Sequence, residues 1–427
     1  MSIKDNFPSV GPSLSLNFAR SKTLDPRITF SRASTSGDAT YMDANGLIVT
    51  AAADEPRFDH NYDNGVVKSL GLLVEEQRTN LIRYNTKHDE SYWVNNGNNS
   101  SETINTTETS SPDGTNNATK LFGNNGVTGR QSIYQGVSVT SGTTYTFSVF
   151  LKQGQRRYAS IWFDTTNISE GAYYGSASII DLQTGTLATG SQTNIVPYPN
   201  GWYCCYVTAT PTATGNVNMQ VSVGSPNNNV SGYIANGDGS SGIYIWGHQV
   251  EAGEFPTSYI PTSAGISTRG ADNVTMTGTN FSDWYNQDEG TVYVSQKLKG
   301  VQDDSRNNLV YKINGGGGSD YFYNTKSGDK NIFIFGDGGT NYSRFQDNTD
   351  STDTKTAFAY DVSGDDFKPY HDGIEVTNET ISNTPSVTSH TQLELGASSG
   401  AKYCGHIQQF AYYPKRLTNT QLQNLTK

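Results

Sequence analysis

Three aromatic side chains on the predicted outward faces of two strands are candidates for a sugar-binding platform. Apolar and polar residues alternate in two runs, at 145–152 and at 158–164, which predicts two strands. Phe150 lies on the first strand, and Tyr158 and Trp162 lie on the second, on the face opposite its apolar residues. Flat aromatic rings stack on the apolar faces of sugars, and nearby polar side chains add hydrogen bonds. The polar neighbours are Ser148, Ser160 and Asp164. We predict a glycan contact here, with packing under a neighbouring subunit or loop as the alternative.

Two further pairs of tyrosines are candidates of the same kind. Tyr173 and Tyr174 follow the second run, and Tyr321 and Tyr323 alternate on a later one. We include these four rings in the predicted carbohydrate-binding set.

A group of aspartates raises the question of a metal. Asp347, Asp350 and Asp353 offer the hard oxygen ligands that calcium prefers. Their spacing does not match the EF-hand loop, and the six histidines show no zinc-binding spacing. We therefore expect a solvated acidic loop and no cofactor, with calcium at the three aspartates as the alternative.

Catalytic carboxylates are not evident. Glycosidases use two carboxylates across a cleft, whereas Glu394 stands alone between two leucines. Glu75 and Glu76 are adjacent, and neighbours on an extended chain point to opposite faces, so we expect a structural role for them. A G-x-S-x-G match contains Ser398, but no acidic residue lies between it and the next histidine, as hydrolases of that type require. The sequence predicts a non-enzymatic protein.

The composition points to an all-β protein with a neutral polar surface. Of the 427 residues, 16% are charged and 11% are aromatic, and the net charge is −11. This acidic balance lacks the basic footprint of a nucleic-acid binder, and no apolar run reaches the roughly 18 residues that span a membrane. The N-terminus has no secretory apolar segment, and three cysteines make no disulfide framework. We therefore expect synthesis in a cytoplasm, without nucleic-acid partners or membrane insertion.

Period-2 patterns then divide the chain. Residues 83–264 alternate apolar and polar positions in several short runs, for example Phe147, Val149 and Leu151, which predicts a jelly-roll β-sandwich. After a linker at 265–289, residues 290–427 predict a second sandwich with an Asp372-Gly373 hairpin turn. Thr418 and Gln421 fit the capping box of one short C-terminal helix.

Residues 1–82 have a different pattern, with short apolar stretches broken by turn residues. We interpret them as an extended arm that needs a partner to bury its apolar positions. Those positions are Leu14, Leu16, Phe18 and the stretch at 72–74. This pattern predicts chains that wrap around one another and bury these positions between them, and the resemblance described next implies that the assembly is a homotrimer.

Three stretches of this arm resemble the N-terminal region of tail-fibre and other virion-appendage proteins of tailed bacteriophages. They are residues 24–35 (LDPRITFSRAST), 51–60 (AAADEPRFDH) and 71–81 (GLLVEEQRTNL). The middle region resembles carbohydrate-binding jelly rolls at 200–203 (NGWY), 249–253 (QVEAG) and 258–262 (SYIPT). The last region is similar to concanavalin A-like (laminin-G-like) domains at 357–360 (AFAY), 372–373 (DG), 395–396 (LG), 405–407 (GHI) and 412–414 (YYP).

This resemblance implies a virion surface protein made in the bacterial host cytoplasm. Its arm would attach to other virion proteins of the tail or capsid, and its lectin-like modules would bind host-surface polysaccharide. Two alternatives remain: a glucanase-like, glycan-degrading enzyme, and a capsid fibre or decoration protein with no specific glycan ligand.

Overall fold

The computed structural model of the chain describes residues 6, 8–33, 37–95, 99–164, 177–191, 193–224, 233–234, 237–300, 308–315, 321–327, 330–336, 342–348, 351–382, 389–396 and 403–427. Antiparallel strands form two β-sandwiches, with three short helices. The predicted all-β class is therefore confirmed. Within these residues, no helix is long and apolar enough to cross a membrane.

The N-terminal region carries seven strands and one helical turn. They are β1 (Leu14–Asn17), α1 (Phe18–Ser21), β2 (Thr29–Arg32), β3 (Ala39–Met42), β4 (Ile48–Ala51), β5 (Arg57–Asp63), β6 (Val66–Glu75) and β7 (Arg78–Asn80). Gly71 interrupts β6 with a φ of 90°, and a Cβ there would lie 2.4 Å from the carbonyl oxygen of Ile407. Only glycine fits this close approach of two backbones.

The middle region folds into the first sandwich. Its strands are β8 (Val94–Asn95), β9 (Ser100–Thr103), β10 (Thr119–Gly123), β11 (Gly129–Arg130), β12 (Ser132–Val139), β13 (Tyr145–Gln153), β14 (Tyr158–Asp164), β15 (Ile179–Asp181), β16 (Thr186–Thr189), β17 (Asn194–Pro197), β18 (Trp202–Ala209), β19 (Gly215–Gly224), β20 (Tyr233–Ile234) and β21 (Gly242–Ala252). One sheet has the order β17-β18-β13-β21-β10-β9, and the other has the order β16-β15-β14-β19-β12-β8.

The last region supplies most of the second sandwich. Its elements are β22 (Ser267–Arg269), β23 (Asp272–Thr277), α2 (Thr279–Ser282), β24 (Glu289–Leu298), β25 (Asn308–Asn314), β26 (Tyr321–Ser327), β27 (Lys330–Gly336), β28 (Tyr342–Asn348), β29 (Asp353–Asp361), β30 (Asp366–His371), β31 (Ile374–Glu375), β32 (Glu379–Ser382), β33 (Gln392–Leu395), β34 (Cys404–Tyr413) and α3 (Asn419–Thr426). One sheet has the order β31-β30-β29-β24-β34-β6-β5, with β1 also paired to β34, and the other has the order β2-β23-β33-β25-β26-β27-β28-β32.

The helix α3 covers the outer face of the first of these sheets. Its cap is the predicted capping box, in which the Gln421 backbone N–H donates to the Thr418 hydroxyl and the Gln421 side chain accepts from the Thr418 backbone N–H. Leu422 of the helix packs with Tyr293 and Ala357 of the sheet. The predicted hairpin turn is also present, because Asp372 and Gly373 both have positive φ.

The arm requires a correction. Instead of extending from the molecule, residues 14–75 place β1, β5 and β6 in one sheet of the second sandwich and β2 in the other. The apolar positions that predicted a trimer are buried in the core of that sandwich: Leu14, Leu16, Phe18, Leu72 and Val74. The missing partner is therefore the C-terminal region of the same chain.

The outward face predicted for Trp162 is also wrong. Its side chain has no exposed surface and belongs to the core cluster that contains Ile161 and Phe163. The Arg130 guanidinium lies 5.8 Å from its ring centroid. Both faces of β14 are covered at this point, so the alternation of polar and apolar residues did not indicate which face was exposed.

Two histidines are buried in the middle sandwich. Nε2 of His88 lies 3.0 Å from Nδ1 of His248, and both rings pack against Trp93. Burial lowers the pKa of His88 to about 3. Burial, with a contribution from His88, holds the pKa of His248 well below its ordinary value. The folded protein therefore keeps both rings neutral at pH values where an unfolded chain protonates them.

Acid should accordingly destabilise this sandwich. Above pH 6.5 both histidines are neutral in the folded and in the unfolded protein, so they leave the free energy of unfolding at its full value. Below pH 6.5 only the unfolded chain takes up protons, and the free energy of unfolding falls by up to about 1.4 kcal/mol per pH unit for each histidine. His88→Gln should remove about half of this slope. Urea unfolding between pH 7.5 and pH 4.5 measures it, and an unchanged slope in the variant would contradict the assignment.

Without residues 1–81, the C-terminal region should not form the second sandwich. The deletion removes three strands from one sheet and one from the other, together with five core side chains. We expect a fragment of residues 265–427 to be insoluble or to lack a cooperative thermal transition. A fragment of residues 80–264 is the control and should melt cooperatively. A well-folded 265–427 fragment would show that the N-terminal strands are dispensable.

Candidate functional site

A cluster of charged side chains, buried except for part of Lys299, joins the three regions of the chain. Glu75, at the end of β6, pairs with Arg57 of β5 at 2.8 Å, Arg269 of β22 at 3.1 Å and Lys299 at 3.1 Å. Burial opposes ionisation of Glu75, but the three cations outweigh it and hold the pKa of this carboxyl well below its ordinary value. We call this cluster, together with Asp272 and Arg32, the Glu75 network.

Asp272 extends the network to a second carboxylate. It lies 2.6 Å from Arg57 and 3.1 Å from Arg32, and it also accepts the backbone N–H of Glu75. Each buried charge is thus paired and hydrogen-bonded, which is the condition under which charges tolerate burial. Glu76, the neighbour of Glu75, pairs separately with Arg78. The predicted structural role of the two glutamates agrees with this arrangement.

The network also fixes the segment that follows the middle sandwich. Glu75 accepts the Ser258 backbone N–H at 2.8 Å and its hydroxyl at 2.6 Å. Two residues on, the Gln249 side chain accepts the backbone N–H of Ile260, and the Asn80 amide donates to the Ile260 carbonyl. Residues 258–260 are therefore held from both sides, and Tyr259 between them has a defined position.

A pocket lies directly beside this segment, where the three regions meet. Its volume is about 330 Å³. The middle sandwich contributes an aromatic wall of Phe150, Tyr198, Tyr206 and Tyr259. The N-terminal region contributes Met42 and His60, and the second sandwich contributes Lys299 and His406.

The aromatic wall is tightly packed. The Phe150 ring meets the Tyr198 ring edge-on at 4.8 Å and the Tyr259 ring edge-on at 6.5 Å. Gly247 has a φ of 64°, and a Cβ there would lie 3.1 Å from Phe150 and 3.2 Å from Tyr259. The glycine therefore lets both rings lie against the strand, so the wall is preorganised.

Three hydroxyl groups of the pocket are unused by the protein. Within the described chain, the hydroxyls of Ser148, Tyr198 and Tyr206 make no hydrogen bond. Burial raises the pKa of both tyrosines, so they stay neutral and can both donate and accept. These groups can bond to a ligand without breaking a bond within the protein.

The histidine on the N-terminal side has a defined tautomer. His60 Nδ1 lies 2.9 Å from the Met42 carbonyl, which can only accept, so Nδ1 carries the proton. Nε2 of His60 is buried and has no partner in the described chain. In the neutral ring this nitrogen is an acceptor.

Asp59 is the one carboxylate among the described residues that line the pocket. It accepts the Met42 backbone N–H at 2.7 Å and lies 2.8 Å from Nε2 of His406. Burial opposes its ionisation, but His406 holds its pKa below the ordinary value. Its oxygens are thus engaged in fixing the pocket.

The predicted sugar-binding residues are not brought together. Phe150 lines the pocket, Tyr158 is half-buried with Arg157 over its ring at 5.3 Å, and Trp162 is in the core. Tyr321 and Tyr323 are half-buried on β26 with ring centroids 5.6 Å apart. Tyr173 and Tyr174 lie outside the described residues.

The aspartates proposed for calcium have protein partners. Asp347 accepts from the Asn331 amide and lies 2.8 Å from His371 Nδ1, and Asp353 lies 3.7 Å from Lys297 Nζ. Asp350 lies outside the described residues, and within the part of the chain that is described no three His, Cys, Asp or Glu side chains are grouped to hold a metal. The expectation of no cofactor, with calcium at these aspartates as the alternative, stays a prediction.

Most of the residues that line the pocket were not identified from the sequence, although several of them lie in stretches that the sequence analysis singled out. His60, Tyr259 and His406 all fall inside the stretches that carried the family resemblance. No binding role could be assigned to these three residues, because they are some 150 to 350 positions apart in the chain. Tyr198 and Tyr206 fall outside those stretches and had no such signal.

No protein-family model matches the chain, and no curated protein does. Among solved structures, a CBM40 module of a Ruminococcus gnavus IT-sialidase bound to α2,3-sialyllactose is 15% identical, with a TM-score of 0.28, over 33% of this chain and 84% of that one. A Trypanosoma rangeli sialidase in complex with 2,3-difluorosialic acid is 7% identical, with a TM-score of 0.29, over 72% of this chain and 60% of that one. Domains LG4-5 of the mouse laminin α1 chain are 11% identical, with a TM-score of 0.20, over 64% of this chain and 82% of that one. At these values the similarities do not establish a function for this chain.

Proposed function

We propose that the protein is a non-enzymatic saccharide-binding protein and that the pocket between its three regions is the binding site. The observation that carries the proposal is the combination of the aromatic wall with the unused hydroxyls of Ser148, Tyr198 and Tyr206. A sugar presents apolar C–H faces and many hydroxyl groups, and both find partners here. The volume of about 330 Å³ falls within the range of small-molecule sites.

The charge of the pocket supports a binding role over glycan cleavage. Hydrolysis of a glycosidic bond uses two carboxyl groups at a defined separation, whereas Asp59 is the one carboxylate among the described lining residues. Its oxygens already accept from Met42 and His406. The glucanase-like alternative predicts new reducing ends when the protein is incubated with a polysaccharide, and our proposal predicts none.

We further propose that the protein is a surface appendage of a bacteriophage virion, of the tail or the capsid, and that its ligand is a host-surface polysaccharide. This part rests on the resemblance of residues 24–35, 51–60 and 71–81 to phage appendage proteins. The N-terminal strands lie within the second sandwich, so attachment to virion proteins would use their exposed surface. A homotrimer is the expectation from the same resemblance. A capsid decoration protein without a glycan ligand is the alternative.

The pocket can be tested with hydroxyl deletions. Tyr198→Phe/Tyr206→Phe removes two unused hydroxyls and should leave the fold intact, since neither bonds within the described protein. If both bond to the ligand, affinity should fall roughly thirtyfold, at about 1 kcal/mol for each hydrogen bond. A panel of purified bacterial surface polysaccharides, measured by biolayer interferometry, identifies a ligand and gives the affinities.

Tyr203→Phe is the matched control. Tyr203 lies on the same strand, β18, but on the face that packs against the core of the middle sandwich. Its hydroxyl deletion should leave the affinity unchanged. Equal affinities of the wild type, the control and the double variant would place the saccharide elsewhere, and an absence of binding to any polysaccharide would contradict the proposed function.

A further inference from the structure

A second group of aromatic side chains lies outside the pocket, on the loop between β7 and β8. The Tyr84 and Tyr92 rings are 5.9 Å apart and tilted by 35°, and Tyr92 is 43% exposed. Val94, two residues further, is 41% exposed. Between them, Trp93 points inward and packs against His88 and His248. Trp93 thus belongs to the core, whereas Tyr92 remains partly exposed.

The backbone of this loop is held in an unusual conformation. Tyr84 has a φ of 51°, a region that bulky side chains rarely adopt. Its N–H donates to the Ser263 carbonyl at 2.7 Å, and its own carbonyl accepts from the Trp93 indole at 3.0 Å. The side-chain amide of Gln135 makes two hydrogen bonds to the backbone of Arg83, the residue before Tyr84. Its oxygen accepts the Arg83 N–H, and its nitrogen donates to the Arg83 carbonyl. Such strain persists only where the surroundings determine it, and it concentrates at functional sites.

The exposed ring is itself fixed in place. The Arg83 guanidinium carbon lies 4.8 Å from the Tyr92 ring centroid, and its Nη1 donates to the Tyr92 hydroxyl at 2.7 Å. Nε and Nη2 of Arg83 make no hydrogen bond within the described chain. The result is a rigid aromatic surface with free N–H donors beside it.

This loop is continuous with the wall of the pocket. Asn85 directly follows Tyr84, and its side-chain oxygen accepts the hydroxyl of Tyr259 at 3.0 Å. The same amide donates to the Ile260 carbonyl at 3.1 Å. The side chain that holds the pocket wall therefore belongs to the immediate neighbour of Tyr84, whose ring packs against the exposed Tyr92 ring.

We propose that Tyr84, Tyr92 and Arg83 form a second saccharide site, at which a pyranose ring of the polymer stacks on Tyr92 and the free N–H groups of Arg83 donate to its hydroxyls. The proposal rests on the proposed function, because its ligand is another residue of the polysaccharide that enters the pocket. Stacking needs an exposed, immobilised ring, and hydroxyl recognition needs unused donors; both are present. Two sites on one protein raise the affinity for a polymer through effective concentration, whereas a short oligosaccharide fills one site.

The test compares two probes from one source: the polysaccharide that the wild type binds most tightly, and an oligosaccharide of a single repeating unit prepared from it. Tyr92→Ala should weaken binding of the polysaccharide roughly tenfold and leave the affinity for the single unit within twofold. Tyr92→Phe keeps the ring and should stay within threefold of the wild type for both probes. Val94→Ala removes exposed apolar surface without a ring and should change neither affinity. Thermal unfolding verifies that each variant keeps the fold.

The outcomes separate this site from the pocket. If Tyr198→Phe/Tyr206→Phe weakens both probes while Tyr92→Ala changes neither, the second site is overturned and the pocket stands. If Tyr92→Ala weakens the polysaccharide and the pocket variant changes neither probe, the second site stands and the pocket assignment fails. Equal losses in Tyr92→Ala and Val94→Ala would overturn stacking in favour of general apolar contact. No saccharide binding by the wild type would overturn both.

Discussion

The ionised carboxylate of Glu75 is the constraint on which the rest of this structure depends. It has no exposed surface, and a charge in such a place is tolerated only with close counter-charges and full hydrogen bonding. The counter-charges come from two regions of the chain: Arg57 from the N-terminal region, and Arg269 of β22 and Lys299, which follows β24, from the last region. The middle region contributes the backbone N–H and the hydroxyl of Ser258, which both donate to Glu75. The three regions must therefore meet at this point. An isolated surface pair such as Lys68 and Asp63 imposes no comparable requirement.

The pocket is a geometric consequence of this meeting point. The network reaches the middle sandwich through Arg269, which donates to the Thr257 hydroxyl, and Thr257 in turn donates to Glu251 of β21. With Ser258 bonded to Glu75, the adjacent Tyr259 is set against Phe150. Lys299 both pairs with Glu75 and lines the pocket. The same side chains thus hold the modules together and shape the site.

The sequence allowed the strand content, the hairpin at Asp372 and the cap at Thr418 to be predicted, because these features depend on neighbouring residues. The fate of the N-terminal region could not be predicted, since β1 pairs with β34 almost four hundred residues away and no local pattern encodes that register. Trp162 shows a second limit. Period-2 alternation identifies two faces of a strand, but both faces of β14 are buried at this tryptophan. The pocket combines side chains from all three regions, so single stretches of sequence indicated a family resemblance but no site.

The most direct test of this account is calorimetric unfolding of the full chain with Glu75→Gln, using Asp63→Asn as the control on the neighbouring strand. The variant leaves Arg57, Arg269 and Lys299 without their shared counter-charge, so we expect a loss of about 3–5 kcal/mol and a lower unfolding temperature for both sandwiches. The control breaks an exposed ion pair and should change stability by less than about 1 kcal/mol. A Glu75→Gln protein in which neither sandwich, or only the second, unfolds at lower temperature would contradict the claim that this carboxylate holds the three regions together.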